Sequence, residues 1–598
     1  MSLRYAVCCL FLCLTLLPAA ALPNDSSDTD TLAGVWGIER ILGPSVRGEL
    51  SIDGRTSEWR AEIGGYDVPV RRTGDSVELT LPAGQGEFRG RVSSNGQKLA
   101  GHWIQPPTLT GNSRYATPVR LERAADHVWR GNVQPFDDRL ALYLVVQAAQ
   151  GGSLRAFLRD PESNSGMGRS FAITRTGSHL VFTNPKRTGD RIEGAYVAGS
   201  DSLVLELPDF GHLEFTRRTR ETAVGFYPAT PPMDHYIYRP PVSDGDGWDT
   251  ASLQEAGLNP EPIATLIQQI LDTQPDWYTS PYIQGLLIAR HNKLVLEHYF
   301  YGFSRERTHD LRSAAKTITG TLVGIALDHG AHFALDSAAY RLFPEYTQLA
   351  NPDPRKLRIT VQDLLTMNSG LACDDNDDDS PGNEERMYAQ QNQPDYYKYT
   401  LDLPMARTPG DGTAVYCTAG INLLGGIVRN ATGTSLSEFF ERFFAEPLNI
   451  HTYHLNLSPT GDAYMGGGIY LRPRDALKLG QLYLSGGRWR GRQVVSKEWV
   501  ERSLQQHSKF PASDYAAAHA YGFAWHIFES QVGGRRYQEY MAQGNGGQLV
   551  VVIPELDLVV MIDAGNYNNF PTWRKFYEEL LPMYVIPAVT DAAAHASR

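Results

Sequence analysis

From about residue 30 to residue 220, apolar and polar residues alternate in short runs separated by turn-forming pairs. The apolar positions are rich in Val, Leu, Phe and Tyr, and Asp53-Gly54 and Asn95-Gly96 are typical of tight turns between antiparallel strands. Alternation with a period of two predicts strands that bury one face. We therefore predict an all-β region of small antiparallel barrels or sandwiches, with a first domain over residues 30–124 and a second over residues 125–221.

These two predicted β domains resemble each other in sequence. Gly34-Val35-Trp36 is similar to His127-Val128-Trp129, and residues 72–80 (RTGDSVELT) are similar to residues 175–183 (RTGSHLVFT). The two pairs are offset by 93 and 103 residues, so the halves align only with a gap. The pattern suggests a duplicated unit.

Residues 222–250 are rich in proline and end in the run DGDG at residues 244–247. Such a stretch is typical of a connection between domains. Tyr227, Tyr236 and Tyr238 offer apolar surface that can pack onto a neighbouring domain, so we predict an ordered linker.

From residue 251 the pattern changes to longer helical segments framed by strands. Apolar runs predict two strands within residues 286–300, joined at His291-Asn292, and two more over residues 548–554 and 556–562. Helical periodicity predicts helices between them, over residues 313–327, 361–367, 419–429, 436–444 and 473–483. Strands at both ends with helices between indicate an α+β domain over residues 251–585, followed by a C-terminal tail over residues 586–598.

The composition is that of a soluble globular protein, with 42% hydrophobic and 20% charged residues among 598. The formal net charge is −12, and the chain has no block rich in Lys or Arg. Such a surface repels a phosphate backbone. Nucleic acid is therefore excluded as a partner.

The first residues have the layout of a secretory signal. Arg4 precedes an apolar run from Tyr5 to Ala20, and the small residues Ala19 to Ala21 follow, so we predict a signal peptide over residues 1–21. The alternative is an N-terminal membrane anchor, although the run is short for a span and contains Pro18. Cleavage would leave no stable membrane span and a periplasmic or secreted protein.

Cysteine usage agrees with export. Three of the five cysteines lie in the predicted signal, which leaves Cys373 and Cys417. In an oxidising compartment this pair can form a disulfide. The alternative is two separate buried thiols.

Candidate chemistry begins in the segment from Asp310 to Leu327, which is apolar nearly all round, as expected of a buried helix with Asp310 available as its N-cap. Ser313 and Lys316 are three residues apart on one face, in the first turn. A buried ammonium has a lowered pKa unless it is paired, and a lowered pKa suits a proton acceptor. The alternative is an ordinary lysine that reaches the helix surface.

Two further elements add to this pair. Tyr416 precedes an apolar helix, and a tyrosine beside a lysine can carry a proton to a leaving group, although most tyrosines in such places pack in a core. The glycine-rich run Gly544-Asn545-Gly546-Gly547-Gln548 precedes a strand, where a backbone N–H can point at a substrate, although it can equally be a simple turn.

The order Ser-x-x-Lys, Tyr, glycine-rich strand entry resembles the serine β-lactamase and penicillin-binding protein superfamily. Within it the chain is most similar to the class C-like branch of family VIII esterases, 6-aminohexanoate-dimer hydrolases and D-aminopeptidases. Supporting runs are residues 357–370 (LRITVQDLLTMNSG), 422–425 (NLLG) and 466–475 (GGGIYLRPRD). The resemblance covers roughly residues 255–585 and does not reach the β region.

The resemblance implies a role for each matching residue. Ser313 would be the nucleophile, Lys316 its activating partner and Tyr416 the residue that passes the proton to the leaving group. The N–H groups of Ser313 and Gln548 would form the oxyanion hole. Asn545, Gly546 and Gly547 match the Lys-Thr-Gly position and, with Thr418, would contact the substrate.

Two departures from the family pattern bear on the substrate. Thr418 stands where the family's Tyr-x-Asn motif has its amide, and Asn545 stands where a lysine would pair with the carboxylate of a β-lactam. Both favour a neutral carboxylic ester or small amide as the substrate. Open alternatives are penicillin-binding or D-amino-acid peptidase activity on cell-wall fragments, and a binding or sensor protein that acylates without turnover.

No motif implies a cofactor or a metal. Asp374, Asn376, Asp378 and Glu385 loosely match positions 1, 3, 5 and 12 of a calcium-binding EF-hand loop, but Asp379 occupies the glycine position. We therefore expect a solvated acidic loop near the cleft.

Overall fold

The computed structural model describes residues 31–149, 152–162, 170–187, 189–207, 210–389, 394–513 and 517–590. The predicted signal peptide over residues 1–21 lies outside the described residues, as do residues 591–598 of the predicted tail. Among the helices described, none is long and apolar enough to cross a membrane.

The N-terminal region is all-β, as predicted. Its strands are β1 (Gly34–Gly43), β2 (Gly48–Asp53), β3 (Arg60–Ile63), β4 (Tyr66–Pro69), β5 (Arg71–Thr73), β6 (Ser76–Thr80), β7 (Glu87–Val92), β8 (Lys98–Ile104), β9 (Arg114–Ala125), β10 (Val128–Val133), β11 (Asp138–Ala148), β12 (Leu154–Arg159), β13 (Ser170–Thr176), β14 (His179–Thr183), β15 (Arg191–Val197), β16 (Ser202–Leu207) and β17 (Gly211–Arg218).

The strands form two units that have exchanged their first strands. Strands β11 to β17 close into a barrel with β1, while β10 lies between β2 and β9 in the sheet formed by β2 to β9. Trp36 of β1 is accordingly buried in the core of the second unit, and Trp129 of β10 in the core of the first. The predicted division at residues 124 and 125 is therefore wrong for these strands, because each buries its tryptophan in the other unit's core.

This exchange fits the sequence similarity between the halves. β1 and β10, which carry the similar Gly-Val-Trp and His-Val-Trp runs, hold the same place in the two units. Each lies between the first and the last of the unit's other strands, β1 between β11 and β17 and β10 between β2 and β9. The second similar pair falls on β5 and β6 in the first unit and on β13 and β14 in the second. The two runs are 38 residues apart in the first half and 48 in the second, although the first half has the extra strand between them, so longer segments in the second half account for the unequal offsets. The topology supports a duplication.

The C-terminal domain mixes strands and helices, as predicted. In chain order they are β18 (Asp249–Thr250), α1 (Pro260–Leu271), β19 (Ile283–Arg290), β20 (Lys293–Tyr299), β21 (His309–Asp310), α2 (Ala315–Asp328), α3 (Val361–Leu365), α4 (Glu384–Ala389), α5 (Tyr396–Asp402), α6 (Thr418–Thr432), α7 (Leu436–Phe440), β22 (Tyr453–Leu457), β23 (Ile469–Leu471), α8 (Pro473–Leu484), β24 (Arg488–Trp489), β25 (Arg492–Gln493), α9 (Lys497–Ser503), β26 (Ser508–Phe510), β27 (His519–Tyr521), β28 (His526–Val532), β29 (Arg535–Gly544), β30 (Gln548–Ile553), β31 (Leu558–Ala564) and α10 (Phe570–Lys575).

A nine-stranded sheet in the order β18-β20-β19-β31-β30-β29-β28-β27-β26 forms the centre of this domain. The strands predicted at the two ends of the domain meet in its middle, where β19 pairs with β31. One face packs against a helical lobe that contains α2, α6 and α8, and the other packs against α1, α10 and the π-helix Phe576–Val585. The sheet is buried on both faces, which explains the continuous apolar runs of β19, β30 and β31.

The β region is joined to this domain by a shared sheet. β9 pairs with β22, β22 pairs with β23, and β23 pairs with the short β21. At the same junction, His102 bonds to the hydroxyl of Tyr453 across 2.8 Å, and Thr117 bonds to His454 across 2.8 Å. A hydrogen-bonded path therefore runs from the first β unit to the strand that immediately precedes Ser313.

The segment predicted as a linker is ordered and packed, since Tyr236 and Tyr238 lie against the core of the C-terminal domain. That domain also extends beyond the predicted end at residue 585. Ile586 and Ala588 are buried, and the N–H of Asn259 donates to the carbonyl of Ala588 across 2.7 Å. The first residues of the predicted tail therefore belong to the domain.

Candidate active site

Ser313 lies in a tight turn between β21 and α2. The turn is the 3₁₀ segment Arg312–Ala314, and Arg312 has a positive φ of 49°. Asp310 stabilises this turn. Its carboxylate accepts a hydrogen bond from the backbone N–H of Arg312 across 2.8 Å and forms an ion pair with the guanidinium of Arg312 across 2.9 Å. Asp310 is thus not the helix N-cap that the sequence predicts; it holds the turn before the helix.

Lys316 lies one turn further along and reaches back to Ser313. Its Nζ donates to Ser313 Oγ across 2.7 Å, and the residue is 2% exposed. Burial lowers the pKa of Lys316, while the negative charges of Glu384 and Asp375 act in the opposite direction. The predicted contact between the serine and the lysine is present. Burial shifts the protonation equilibrium of the Lys316 amine towards its neutral form, compared with a lysine in water.

Tyr416 completes the predicted trio. Its ring centroid lies 5.1 Å from Lys316 Nζ, and its hydroxyl lies close enough to the Ser313 side chain to interact with it. Burial raises the pKa of Tyr416, so its hydroxyl is protonated near neutral pH. The next residue, Cys417, forms the expected disulfide with Cys373, and this bond holds the segment that carries Tyr416.

An acidic pair that the sequence does not single out lies behind Lys316. Asp375 accepts hydrogen bonds from the N–H groups of Thr418 and Glu384, each across 2.8 Å. Glu384 accepts from the Tyr464 hydroxyl across 3.0 Å. Burial and the neighbouring Glu384 raise the pKa of Asp375 to about 7.

The only sequence signal for this pair is the acidic stretch from Asp374 to Glu385, which the sequence predicts to be a solvated loop. The structure instead turns two of its carboxyl groups inward. In the described part of the chain, no group of three or more His, Cys, Asp and Glu side chains has an arrangement that could hold a metal ion.

The glycine-rich turn lies beside the turn that carries Ser313. Not all of the residues predicted to contact the substrate or the oxyanion lie at the cavity, however. A methyl group on Gly544, the last residue of β29, would lie 2.3 Å from the Leu311 carbonyl oxygen, so only glycine allows this approach. Asn545 follows and lines the same cavity as Ser313. The turn therefore places Asn545 at the cavity into which Ser313 opens.

Gln548, whose backbone N–H is predicted as an oxyanion donor, is not among the residues that line the cavity at Ser313. It is fully buried and pairs with Gly544 in the ladder between β29 and β30, and its side chain bonds to the backbone of Ala564. Gly546 and Gly547 pack against Tyr567 and Phe576. Thr418 is buried too, with its hydroxyl 3.4 Å from Glu384, so it supports the acidic pair behind Lys316.

A stack of aromatic rings flanks Tyr416 on the other side. His526 lies stacked 6.4 Å from the Tyr416 ring, and its Nδ1 is 2.9 Å from His519 Nε2. Burial lowers the pKa of His526 well below its ordinary value, and nearby His519 and Lys316 act in the same direction. Neither histidine has a sequence signature, because His526 meets Tyr416, and His519 meets His526, only through the folding of the sheet.

Ser313 opens into a cavity of about 350 Å³. The C-terminal domain contributes Asn545, Tyr464 and Glu384 to its lining, and the β region contributes residues from four separate segments. The site therefore combines the hydroxyl of Ser313, two groups that can transfer protons, Lys316 and Tyr416, and a small polar cavity. This is the arrangement that nucleophilic acyl transfer requires.

Part of the chain is similar to known proteins. Residues 282–566 match the model of the β-lactamase family. The chain is 23% identical over 326 residues to the 6-aminohexanoate-dimer hydrolase of Paenarthrobacter ureafaciens, which amounts to 52% of this chain and 79% of that protein.

Similar solved structures include a family VIII carboxylesterase, at 14% identity and a TM-score of 0.42, over 54% of this chain and 94% of the other. A penicillin-binding protein homolog from Caulobacter crescentus is 15% identical with a TM-score of 0.41, over 52% of this chain and 94% of the other.

Proposed function

The domain that spans residues 282–566 belongs to the serine β-lactamase and penicillin-binding protein superfamily of hydrolases, and we propose that it cleaves a carboxylic ester or a small amide through an acyl-enzyme on Ser313. The observation that carries the proposal is the 2.7 Å contact between Lys316 Nζ and Ser313 Oγ at the floor of a cavity.

Acylation begins when Ser313 Oγ attacks the substrate carbonyl carbon and its proton passes to neutral Lys316. Burial of Lys316 favours the neutral form that this step needs. The carbonyl oxygen becomes an oxyanion, and the backbone N–H groups of Ser313 and Asn545 are candidate donors to it, because both residues line the cavity. Each such donor stabilises the transition state by roughly 3 to 4 kcal/mol.

Collapse of the tetrahedral intermediate breaks the bond to the leaving group. The Tyr416 hydroxyl donates its proton to the departing alcohol or amine, and the proton held by Lys316 restores the tyrosine. A water molecule then attacks the acyl-enzyme, its proton passes through the same groups, and the carboxylic acid is released with Ser313 regenerated.

The departures at Thr418 and Asn545 support neutral substrates. Thr418 is buried against Asp375 and Glu384, and Asn545 contributes no positive charge to the cavity. A carboxylate-bearing β-lactam therefore lacks the cation that would pair with it at this position.

The test is active-site labelling and hydrolysis with the purified mature protein. We expect a fluorophosphonate probe to modify Ser313 and short nitrophenyl esters to be hydrolysed with burst kinetics, and both to be lost in Ser313→Ala. Full hydrolysis by Ser313→Ala would overturn the proposal. A stable adduct with fluorescent penicillin would favour a penicillin-binding or sensor role instead, because a hydrolase recovers quickly.

We also propose that the protein acts after export, in the periplasm or outside the cell. The disulfide between Cys373 and Cys417 supports this location, because such bonds persist in oxidising compartments. Detection of the protein in cytosol with both thiols free would contradict it.

A further inference from the structure

The β region forms one wall of the cavity at Ser313. Its contributions come from residues 108–115 in the β8–β9 connection and the start of β9, from residues 136–141 around the start of β11, from Asp160 and Glu162 after β12, and from Phe210 before β17. The family match begins only at residue 282, so this wall lies wholly outside the matched domain.

The wall is held firmly in place. Asp138 accepts hydrogen bonds from the Leu109 N–H and from the Thr110 hydroxyl, each across 2.6 Å, which ties the two loops together. Phe136 packs on Tyr115, with ring centroids 4.3 Å apart, and on Tyr470 of the C-terminal domain, 4.7 Å away. The loops are therefore fixed to each other and to the domain that carries Ser313.

The lining has the chemistry of a small polar site. Hydroxyl, amide and charged groups dominate it, including those of Thr110, Ser113, Asn456, Arg139 and Arg312. A volume of about 350 Å³ is at the low end for small-molecule sites. A long aliphatic chain would have to bury apolar surface against these polar groups, which is unfavourable.

A second cavity of about 360 Å³ lies beyond this wall. The two cavities share Arg139, Leu140, Ala141 and Glu162 as lining residues. Arg139 pairs with Asp137 across 2.7 Å, and Glu162 pairs with Arg307, so two ion pairs stand where the cavities adjoin. The start of β11 thus closes off space that a longer substrate would need.

We propose that the β region determines the specificity of the hydrolase by closing its cleft, so that the substrate is a short, polar ester or amide and long-chain esters are excluded. The inference rests on the proposed function of Ser313. The wall residues contact the distal part of the substrate and take no part in proton transfer.

The first test fills the cleft from the β side with Gly111→Trp. A Cβ at Gly111 meets only ordinary contacts with Thr108 and Ser113, so the substitution is compatible with the fold. The matched control is Gly199→Trp on an open turn of the barrel, where a Cβ meets nothing within 4 Å. With nitrophenyl esters of increasing acyl length, we expect kcat/KM for the butyrate to fall about tenfold in the first variant and to stay within about twofold in the control.

The second test opens the cleft with Arg139→Ala. Removal of this side chain should connect the two cavities and raise kcat/KM for the octanoate relative to the acetate by about tenfold. Arg40→Ala, which alters only the second cavity, should keep the wild-type profile. Equal chain-length profiles for all four variants and the wild type would overturn the inference.

Failure of this inference is distinguishable from failure of the proposed function. If the fluorophosphonate still modifies Ser313 in every variant and the length profile does not change, the wall has no role in selection but the hydrolase assignment stands. If Ser313→Ala hydrolyses the esters as well as the wild type, the proposed function itself is wrong.

Discussion

Loss of the disulfide between Cys373 and Cys417 should destabilise the C-terminal domain and slow the reaction at Ser313. The bond closes a loop with a sequence separation of 44 residues, and this loop contains Asp375 and Glu384 and ends one residue after Tyr416. Both cysteines are buried, at 3% and 4% exposure. The bond therefore restrains two sides of the environment of Lys316.

The expected magnitude follows from the loop length. Cross-linking a loop of this size removes chain entropy from the unfolded state that is equivalent to about 4 kcal/mol at 25 °C. Replacing both residues, in Cys373→Ala with Cys417→Ala, should lower the free energy of unfolding by that amount, or shift the folding equilibrium constant by nearly a thousandfold.

The assay is urea unfolding of the purified protein, with tryptophan fluorescence to follow structure and fluorophosphonate labelling to follow the site. Reductant should destabilise the wild type and leave the double variant unchanged, which separates the cross-link from the loss of two sulfur atoms. The labelling rate of the folded variant should fall, because Tyr416 is no longer anchored through its neighbour. A double variant within about 1 kcal/mol of the wild type would refute the reasoning.

Three further perturbations test other parts of the site and its support. Glu384→Gln removes a negative charge that raises the pKa of Lys316, so the acidic limb of kcat/KM should move to lower pH; an unmoved limb, or the same shift in the neighbouring Glu385→Gln, would contradict this. Gly544→Ala places a methyl group 2.3 Å from the Leu311 carbonyl and should abolish labelling of Ser313 by displacing the turn, whereas Gly199→Ala should label normally. Asp563 is fully buried, and burial raises its pKa to about 8. Between the pKa of this carboxyl group in the unfolded chain and pH 8, the folded state therefore holds one more proton than the unfolded state. The free energy of unfolding then falls by about 1.4 kcal/mol per pH unit as the pH rises. Asp563→Asn should therefore gain stability over the wild type at pH 8 and match it near pH 4, and thermal melts with the same difference at both pH values would disprove the assignment.

The sequence predicts best where a local pattern settles the outcome. The hairpin of β19 and β20 turns at His291 and Asn292, both with positive φ, as the polar break in two apolar runs predicts. Ser313 and Lys316 are brought together by helical spacing alone, and the two cysteines that follow the predicted signal peptide make possible the disulfide that the structure contains. These features depend on few long-range contacts.

The features that the sequence does not predict depend on pairing between distant segments. Gln548 and Asn545 are three residues apart, and only the register of β29 against β30 decides which of them faces Ser313. The inward orientation of Asp375 depends on the N–H of Thr418, which is 43 residues away. The β wall of the cleft requires β9 to pair with β22, and no local pattern records that contact.

The exchange of β1 and β10 has a consequence for synthesis and for truncation of the chain. The ribosome releases β1 first, but its two neighbours are β11 and β17, and the latter ends at Arg218. This strand has no partner until β11 has emerged, about 105 residues later, and its second neighbour is complete only about 175 residues after β1. A fragment that begins at residue 125 would lack the strand that closes its barrel, and one that ends at residue 124 would leave the edge of β2 open to other chains.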